Sequence, residues 1–138
     1  MCPLTIRPLL PNDTEAAALV FFDAVHYGTV NEYSLHQRRA WAGEQPNPDA
    51  WCGKFDGITG YVVEIEENLV GFMTIDLSGY IDLAFVQAEM SGRGIGRMLY
   101  EHIESLAISR KMPRMTTQAS KKAKPFFEKF GWDVICEQ

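Results

Sequence analysis

The chain has 138 residues, of which 46% are hydrophobic and 12% are aromatic, and it carries a formal net charge of −5. This length and composition are typical of one globular domain, so we expect residues 1–138 to form a single domain with one core. Its longest uncharged apolar stretches fall far short of the roughly 20 residues that span a bilayer, and no secretion signal precedes them. We therefore expect a soluble, cytoplasmic protein with no membrane partner.

The cysteines and histidines argue against a disulfide framework or a metal site. Cys2, Cys52 and Cys136 are odd in number, lie far apart and form no C-x-x-C pair. Such cysteines are typical of free thiols in a reducing compartment. His26 and His36 have no third ligand at a suitable spacing, so we expect no metal.

The charge is unevenly distributed along the chain. Residues 91–131 carry nine Lys/Arg and three acidic side chains, a net +6, whereas the rest carries four basic and fifteen acidic side chains, a net −11. A basic block on an acidic protein favours an anionic small molecule over nucleic acid, which usually needs a broad positive face. Solvated helix faces are the alternative. The cluster Lys121, Lys122 and Lys124 lacks a recognition-helix pattern, so we expect no nucleic-acid partner.

In chain order, the first half predicts one strand and two or three helices. Residues 4–7 predict a short strand, and Pro11-Asn12-Asp13 predicts the start of a helix that ends near Gly28. The expected buried face of this helix is Ala17, Val20, Phe21, Ala24 and Val25. A second helix is predicted from Ser34, where S-L-H-Q has capping-box spacing, to about Gly43. Asp49 predicts the cap of one short helical segment that ends before Gly53 or Gly57.

The second half begins with a change in hydrophobic period from 3.6 to 2. The segments YVVEIEE, LVGFMTIDL and YIDLAFV, separated by turn signals at 67–68 and 78–79, predict a three-stranded antiparallel meander. After SGRGIGR at 91–97, an apolar stripe predicts a helix that ends by Pro113. RMTTQA then predicts a strand, KPFFEKF a short helix stopped by Gly131, and WDVIC a last strand. The fold class is therefore α+β, with a mixed, mostly antiparallel sheet flanked by helices and one β-α-β crossover.

SGRGIGR contains three glycines with one-residue gaps at the predicted strand-to-helix junction. Glycine lets backbone N–H groups approach a phosphate, and a helix N-terminus favours negative charge, so the loop predicts an anion site. The dinucleotide fingerprint G-x-G-x-x-G does not fit, because the sixth residue from Gly92 is Arg97. Neither a Walker A loop nor a kinase loop fits. The loop by itself does not identify the phosphate.

Two longer segments together resemble the GNAT N-acetyltransferase superfamily. Residues 86–97, VQAEMSGRGIGR, are similar to its Q/R-x-x-G-x-G/A loop for the coenzyme A pyrophosphate, and residues 119–132, ASKKAKPFFEKFGW, are similar to its A-x-x-F-Y-x-K-x-G-F/W helix beside the pantetheine. Further segments that resemble the small, bacterial YafP-like branch are DAVH at 23–26, EYS at 32–34, QRRAWA at 37–42 and GYIDLAFV at 79–86. The resemblance spans nearly the whole chain and implies a GNAT-like fold with acetyl-CoA as cosubstrate.

The resemblance also implies which residues contact the cofactor. The strand before the loop would pair with the pantetheine amides, the loop N–H groups would surround the pyrophosphate, and two arginines would add charge. The cofactor-binding residues implied in this way are Phe85, Val86, Ser91, Gly92, Arg93, Gly94, Ile95, Gly96, Arg97, Ser120 and Phe127. Phe126 and Phe130 are expected to pack in the core.

Three features depart from the family pattern. Ser91 replaces the Gln or Arg at the head of the loop and Ala88 replaces a common Pro, so we expect weaker but retained binding. Phe127 stands where many members have a Tyr that protonates the departing thiolate, so water or another group must do so. Family members also continue after residue 138 with a further strand. We therefore expect either an open C-terminal sheet edge or a homodimer that covers it.

Direct transfer to an amine requires a group that accepts a proton, because an alkyl amine is almost wholly charged at neutral pH. Asp82 and Tyr80 share one face of YIDLAFV. Asp82 is the first candidate for the base, since an acid in an apolar central strand is paired, raised in pKa or functional. The alternative for Asp82 is a structural role in which hydrogen bonds to it hold a loop.

The first two helices are expected to build the acceptor pocket. Tyr33, Gln37 and Trp41 are spaced i, i+4, i+8, and with His26 they are the candidate substrate-binding residues. Core packing is the alternative for Trp41, and a satisfied or exposed histidine is the alternative for His26. The resulting hypothesis is an N-acetyltransferase that moves an acetyl group from acetyl-CoA to a primary amine of a small molecule or peptide. The alternative is a catalytically silent acyl-CoA-binding module.

Overall fold

The computed structural model describes residues 3–132, in which helices cover both faces of a strand layer. The strands are β1 (Leu4–Pro8), β2 (Thr59–Ile65), β3 (Asn68–Ile75), β4 (Tyr80–Ile81), β5 (Ala84–Val86) and β6 (Thr116–Thr117). The helices are α1 (Thr14–Gly28), α2 (Leu35–Ala42), α3 (Ile95–Ser109) and α4 (Ala123–Lys129). Short 3-10 segments occupy Pro11–Asp13, Pro48–Trp51 and Ala88–Met90.

The main sheet is antiparallel, with the strand order β1-β2-β3-β5, and β4 and β6 form a separate parallel pair. The parallel pair is reached through α3, as the predicted β-α-β crossover requires. The turn between β2 and β3 falls on Glu66 and Glu67, both with positive φ, one residue earlier than predicted. The α+β class with a mixed, mostly antiparallel sheet is therefore confirmed.

The segment YIDLAFV, predicted as one strand, is broken into two. Tyr80 and Ile81 pair with β6, whereas Ala84–Val86 pair with β3, so Asp82 and Leu83 lie between strands. At the break the Leu83 N–H donates to the Thr74 hydroxyl at 3.2 Å, where a continuous ladder would use a carbonyl. The prediction of a continuous third strand was wrong because the regular ladder with β3 is interrupted at Asp82 and Leu83.

Alternating side chains of the sheet divide the core into two clusters. Val62 and Phe72 face α1 and the Pro48–Trp51 segment, with Ala17, Val20 and Phe55. Their neighbours in sequence, Val63 and Met73, face α3 and α4 in the other cluster. The cluster beneath α3 and α4 also contains Ile75, Ile81, Ile95, Leu99, Tyr100, Ile103 and Phe127. The period-2 pattern of β2 and β3 thus buries both sheet faces.

The helices follow the local signals closely. The capping box of α2 forms as predicted, because the Ser34 hydroxyl accepts from the Gln37 N–H at 3.1 Å and the Gln37 amide oxygen accepts from the Ser34 N–H at 2.8 Å. Asp49 lies inside the Pro48–Trp51 segment, with Asn47 rather than Asp49 at its cap position. In α1, Phe21 is half-buried rather than buried. Of the predicted last strand, only Trp132 lies within the described residues.

One ion cluster ties β1, β2 and the start of α1 together. The Arg7 guanidinium donates two hydrogen bonds to the Asp13 carboxylate, at 2.8 and 2.9 Å, and Arg7 Nε donates to Glu64 at 3.1 Å. Asp13 also accepts from the Leu10 N–H at 2.7 Å. Burial opposes ionisation of Asp13, but the bonds from Arg7 and Leu10 outweigh it and lower the pKa of this carboxyl.

We expect Arg7→Met to lower the free energy of unfolding by about 1–3 kcal/mol, because it leaves the buried Asp13 carboxylate without its cation. Chemical denaturation at pH 7 measures this loss. Since the pKa of Asp13 is lower in the folded than in the unfolded state, its contribution is present at neutral pH and lost as the pH falls through the folded-state pKa.

The matched control is Arg39→Met, whose exposed side chain lies 3.8 Å from Glu44. It should change stability by less than about 0.5 kcal/mol. Equal losses in the two variants would contradict a structural role for the Arg7 cluster.

Candidate functional site

The glycine loop lies between β5 and α3. Gly92 and Gly94 both have φ of +82°, a left-handed conformation that strains any other residue. Gly94 occupies the N-cap of α3, and its carbonyl accepts the first helical bond from the Met98 N–H at 3.0 Å. The N–H groups of the first turn, Ile95 to Arg97, therefore have no acceptor within the helix. Together with the helix dipole they form a donor set suited to an anion.

Asp23 on α1 holds the entrance of this loop. Its carboxylate accepts a hydrogen bond from the Ala88 N–H at 2.8 Å, and the Gln87 N–H donates to the Val70 carbonyl at 2.8 Å. The sequence analysis did not identify Asp23 as a site residue. The signal available was a carboxylate next to the buried Ala24 on an otherwise apolar helix face.

A cavity of about 650 Å³, called here the loop arm, runs from the glycine loop along β5 to α4. Ten of the eleven residues predicted to bind the cofactor line the loop arm: Phe85, Val86, Ser91, Gly92, Gly94, Ile95, Gly96, Arg97, Ser120 and Phe127. Arg93 does not line it, and its side chain is exposed. Lys122 and Lys129 add two cations to the lining that the sequence analysis did not assign.

The wall of the loop arm on α4 is an aromatic cluster. Phe130 stacks on the buried Tyr100 of α3 with ring centroids 4.3 Å apart, and Phe126 and Phe127 meet Tyr100 edge-on. Trp132 Nε1 donates to the Tyr100 hydroxyl at 2.8 Å. Phe126 and Phe130 thus pack against the core, as expected, and also line the loop arm.

A second cavity of about 800 Å³, called here the aromatic arm, lies between α1, α2 and the broken strand. Its walls include the rings of Phe21, Tyr33, Trp41, Trp51, Tyr80 and Phe85. Its polar lining consists of Tyr33, Gln37, Lys54, Tyr80, Asp82, Thr117, Gln118 and Ser120. Of the described lining residues, Asp82 supplies the carboxylate and Lys54 the ammonium.

The two arms share part of their lining and so adjoin each other, and together they are called here the cleft. The shared residues, called here the junction, are Trp41, Ala84, Phe85, Ser120, Ala123 and Phe127. The junction lies where β5 runs beside the start of α4. A molecule extended along the loop arm would therefore present its end to a second molecule in the aromatic arm.

Asp82 lies in the break between β4 and β5 and lines the aromatic arm. It is exposed, and the expectation that it lies within a central strand was wrong, because the strand is interrupted at this residue. Tyr80 lines the same arm. Burial raises the pKa of Tyr80, and the negative charges of Asp82 and Asp76 raise it further.

Tyr33, Gln37 and Trp41 all line the aromatic arm, in agreement with their i, i+4, i+8 spacing. Trp41 is 39% exposed and contacts the rings of Tyr33, Phe21 and Phe85 at centroid distances of 5.6, 6.2 and 6.1 Å. Trp41 is therefore a wall of the cleft rather than a core residue. The Gln37 amide oxygen is engaged in the α2 capping box.

His26 does not line either arm. Its Nε2 lies 2.7 Å from the Gly43 carbonyl, and its ring packs on Phe22 at 4.3 Å. At 100° per residue on α1, His26 projects about 200° away from Ala24, which faces the loop arm. The prediction that His26 joins the acceptor pocket was therefore wrong.

Two contacts cross the cleft from the α1–α2 connection to the segment before α4. The Lys121 N–H donates to the Tyr33 hydroxyl at 2.9 Å, and Lys122 Nζ donates to the Gly28 carbonyl. The Lys121 ammonium also lies 5.4 Å from the centroid of the Tyr33 ring. These contacts between distant segments hold the two walls of the cleft together.

Within residues 3–132 no group of three or more His, Cys, Asp or Glu side chains is placed to hold a metal ion. In the same part of the chain, no helix has the length and hydropathy needed to cross a membrane.

Comparisons with known proteins agree with this geometry. Residues 29–138 match the sequence profile of the acetyltransferase (GNAT) domain. The chain is 30% identical over 135 residues to the uncharacterized N-acetyltransferase YafP of Escherichia coli, covering 98% of this chain and 85% of YafP. It is 28% identical over 115 residues to the peptidyl-lysine N-acetyltransferase YjaB of Salmonella typhimurium, covering 81% of this chain and 69% of YjaB.

Solved structures show the same fold. A GCN5-related N-acetyltransferase from Rhodopseudomonas palustris superposes with a TM-score of 0.81 at 28% identity, covering 94% of this chain and 81% of that one. The PaiA N-acetyltransferase of Thermoplasma acidophilum, solved in complex with coenzyme A, gives a TM-score of 0.75 at 14% identity, covering 94% and 87% of the two chains. By its sequence profile, its relatives and its fold, the chain belongs to the GNAT acetyltransferase family.

Proposed function

We propose that this protein moves an acetyl group from acetyl-CoA directly to a primary amine of a small molecule or peptide. The observation that carries the proposal is the pair of adjoining cavities, in which a glycine loop at a helix N-terminus and an aromatic pocket meet at one junction. Such a cleft suits a reaction between two bound substrates, since it brings their reacting ends together without a covalent enzyme intermediate.

Both ends of the loop arm suit the binding of coenzyme A. The N–H groups at the start of α3, with Arg97, Lys122 and Lys129 in the lining, would bind the phosphates. Arg97 is 71% exposed and only loosely paired with Glu101 at 3.7 Å, so its guanidinium can turn toward an anion. Among the described strands β5 is at the sheet edge, so alternate main-chain groups of Ala84–Val86 can pair with pantetheine amides.

The aromatic arm suits an amine with an apolar body. Its rings would pack on the hydrocarbon part, and the Asp82 carboxylate would attract the ammonium and accept its proton, directly or through water. The neutral amine would then attack the thioester carbon as the C–S bond breaks. The relative YjaB is a peptidyl-lysine N-acetyltransferase, so a peptide lysine is included with small amines among the acceptors to test.

A second candidate function is a catalytically silent module that binds acyl-CoA. Phe127 favours it, because this side chain lines the junction and has no proton to give to a departing thiolate. Steady thiol release with any amine would exclude this candidate. Tight acetyl-CoA binding without turnover across a broad amine panel would favour it over the acetyltransferase.

We expect acetyl-CoA and coenzyme A, but not NAD or ATP, to raise the melting temperature of the protein. A ligand at 100 times its dissociation constant adds about 2.7 kcal/mol of stability, which a thermal-shift titration detects readily. The positive result leads to an amine screen with thiol detection. The absence of a shift with both CoA species would contradict the proposed donor.

We expect Gly94→Ala to weaken the acetyl-CoA shift, because a side chain at φ +82° distorts the N-cap that aims the loop N–H groups. Its backbone strain should cost about 1–2 kcal/mol of stability. The control is Gly131→Ala, since Gly131 has a similar φ of +87° and, like Gly94, no neighbour within 4 Å of an added Cβ. Gly131→Ala should lose similar stability but keep the acetyl-CoA shift. Equal binding by both variants would argue against the loop as the anion site.

We expect Asp82→Asn to lower kcat/KM for an active amine by about tenfold or more, as loss of a general base does. The same change removes a negative charge beside Tyr80 and should lower the pKa of that phenol. The pKa of Tyr80 is measured by an alkaline titration in which NMR monitors the tyrosine Cζ signals. The Tyr80→Phe variant assigns the signal of Tyr80. Asp56→Asn, an exposed acid that lines neither arm, is the control. Unchanged turnover in Asp82→Asn would exclude Asp82 as the base.

A further inference from the structure

Acetyl transfer leaves a thiolate at the junction, and Phe127 cannot protonate it. Phe127 is 4% exposed and packs against the rings of Phe126 and Trp132 at centroid distances of 5.2 and 4.9 Å. Its side chain supplies only hydrocarbon to the junction. Under the proposed function, water or a proton donor from another part of the cleft must therefore serve the leaving group.

Three of the four hydroxyl groups along the aromatic arm are poor donors. The Thr117 hydroxyl already donates to the Ile81 carbonyl at 2.7 Å. The Ser120 hydroxyl accepts from the Ala123 N–H at 3.1 Å, and an aliphatic alcohol is a far weaker acid than a phenol. Tyr80 lies beside the charge of Asp82, and its raised pKa makes its phenol a weaker acid.

The fourth hydroxyl, of Tyr33, has a different environment. In the hydrogen bonds of residues 3–132 it accepts from the Lys121 N–H at 2.9 Å, which leaves its own proton available to a ligand. Lys121 follows the junction residue Ser120, and the Tyr33 ring packs against the junction residue Trp41 at 5.6 Å. The phenol ring therefore contacts the junction residue Trp41, and its hydroxyl is bonded to the chain neighbour of the junction residue Ser120.

Contacts with Lys121 and Lys122 fix the position of the Tyr33 phenol. The Lys121 N–H points at the phenol oxygen, and the Lys121 ammonium lies 5.4 Å from the ring centroid. The two cross-cleft contacts, at Tyr33 and at Gly28, fix the position of this oxygen relative to α4.

We propose that Tyr33 is the general acid that protonates the coenzyme A thiolate, in place of the tyrosine that Phe127 replaces. This inference rests on the proposed function. The amine nitrogen forms a bond to the acetyl carbon, the C–S bond breaks, and its electron pair goes to sulfur. Sulfur takes the proton of Tyr33 Oη. The amine releases its proton to Asp82 or water, and solvent returns a proton to the Tyr33 phenolate, so that atoms and charge balance.

The test compares wild type, Tyr33→Phe and the double variant Tyr33→Phe/Phe127→Tyr with an amine that the wild type acetylates. Tyr33→Phe should lower kcat at least tenfold and change KM for acetyl-CoA less than twofold. The double variant should recover most of the lost kcat, because it returns a phenol to the junction from α4. Tyr27→Phe is the matched control, since Tyr27 is 65% exposed and lines neither arm. It should behave as wild type.

Several results would overturn the proposal, and they are separable from failure of the proposed function. A kcat of Tyr33→Phe within twofold of wild type would exclude Tyr33 as the acid. A loss of kcat that the double variant shares in full would also exclude Tyr33 as the acid. A loss of kcat accompanied by disappearance of the acetyl-CoA thermal shift would exclude it too, because it would indicate a packing role. Absence of thiol release by the wild type with every amine would instead reject the transferase function itself, and this proposal with it.

Discussion

The cleft depends on one feature of the sheet, the end of the β4–β6 pairing at Ile81, before β5 begins. Ile81 and Ala84 are separated by only two residues, yet β4 pairs with β6 and β5 pairs with β3. The segment remains bonded to β3, since the Thr74 N–H donates to the Leu83 carbonyl at 2.9 Å, but among the described strands none pairs with its other edge after Ile81. The sheet therefore opens beside β5. The buried Thr74 hydroxyl stabilises the opening by accepting from the Leu83 N–H at 3.2 Å. The junction lies along this opening, and without it the two arms would have no common wall.

The helical layers complete the cleft from both sides of the sheet. α1 and α2 contribute the aromatic wall, and Asp23 on α1 also fixes the entrance of the glycine loop through Ala88. α3 and α4, on the other face, contribute the helix N-terminus and the phenylalanine wall. The contact of Tyr33 with Lys121 joins these layers across the cleft. The loop arm and the aromatic arm are thus linked through the contact of Tyr33 with Lys121.

The charge distribution follows the same division. The basic block of residues 91–131 contributes Arg97, Lys122 and Lys129 to the loop arm, whereas the described lining of the aromatic arm holds Asp82 and Lys54 as its charged groups. The proposed function, with an anionic donor and an acceptor that loses a proton, would use these different environments. The fold therefore places the basic residues of the chain around the loop arm and leaves the lining of the aromatic arm nearly neutral.

The sequence by itself determined the features that depend on neighbouring residues. The capping box at Ser34, the glycine loop before α3, the period-2 strands β2 and β3, and the GNAT resemblance all follow from short-range patterns, and ten of the eleven expected cofactor residues line one cavity. Only the tertiary structure decided the strand break at Asp82, the outward direction of His26 and the place of Tyr33 beside Lys121. The physical reason is that strand partners, helix orientation and cross-cleft contacts join residues tens of positions apart. A local pattern specifies which element forms, but not which distant element it meets.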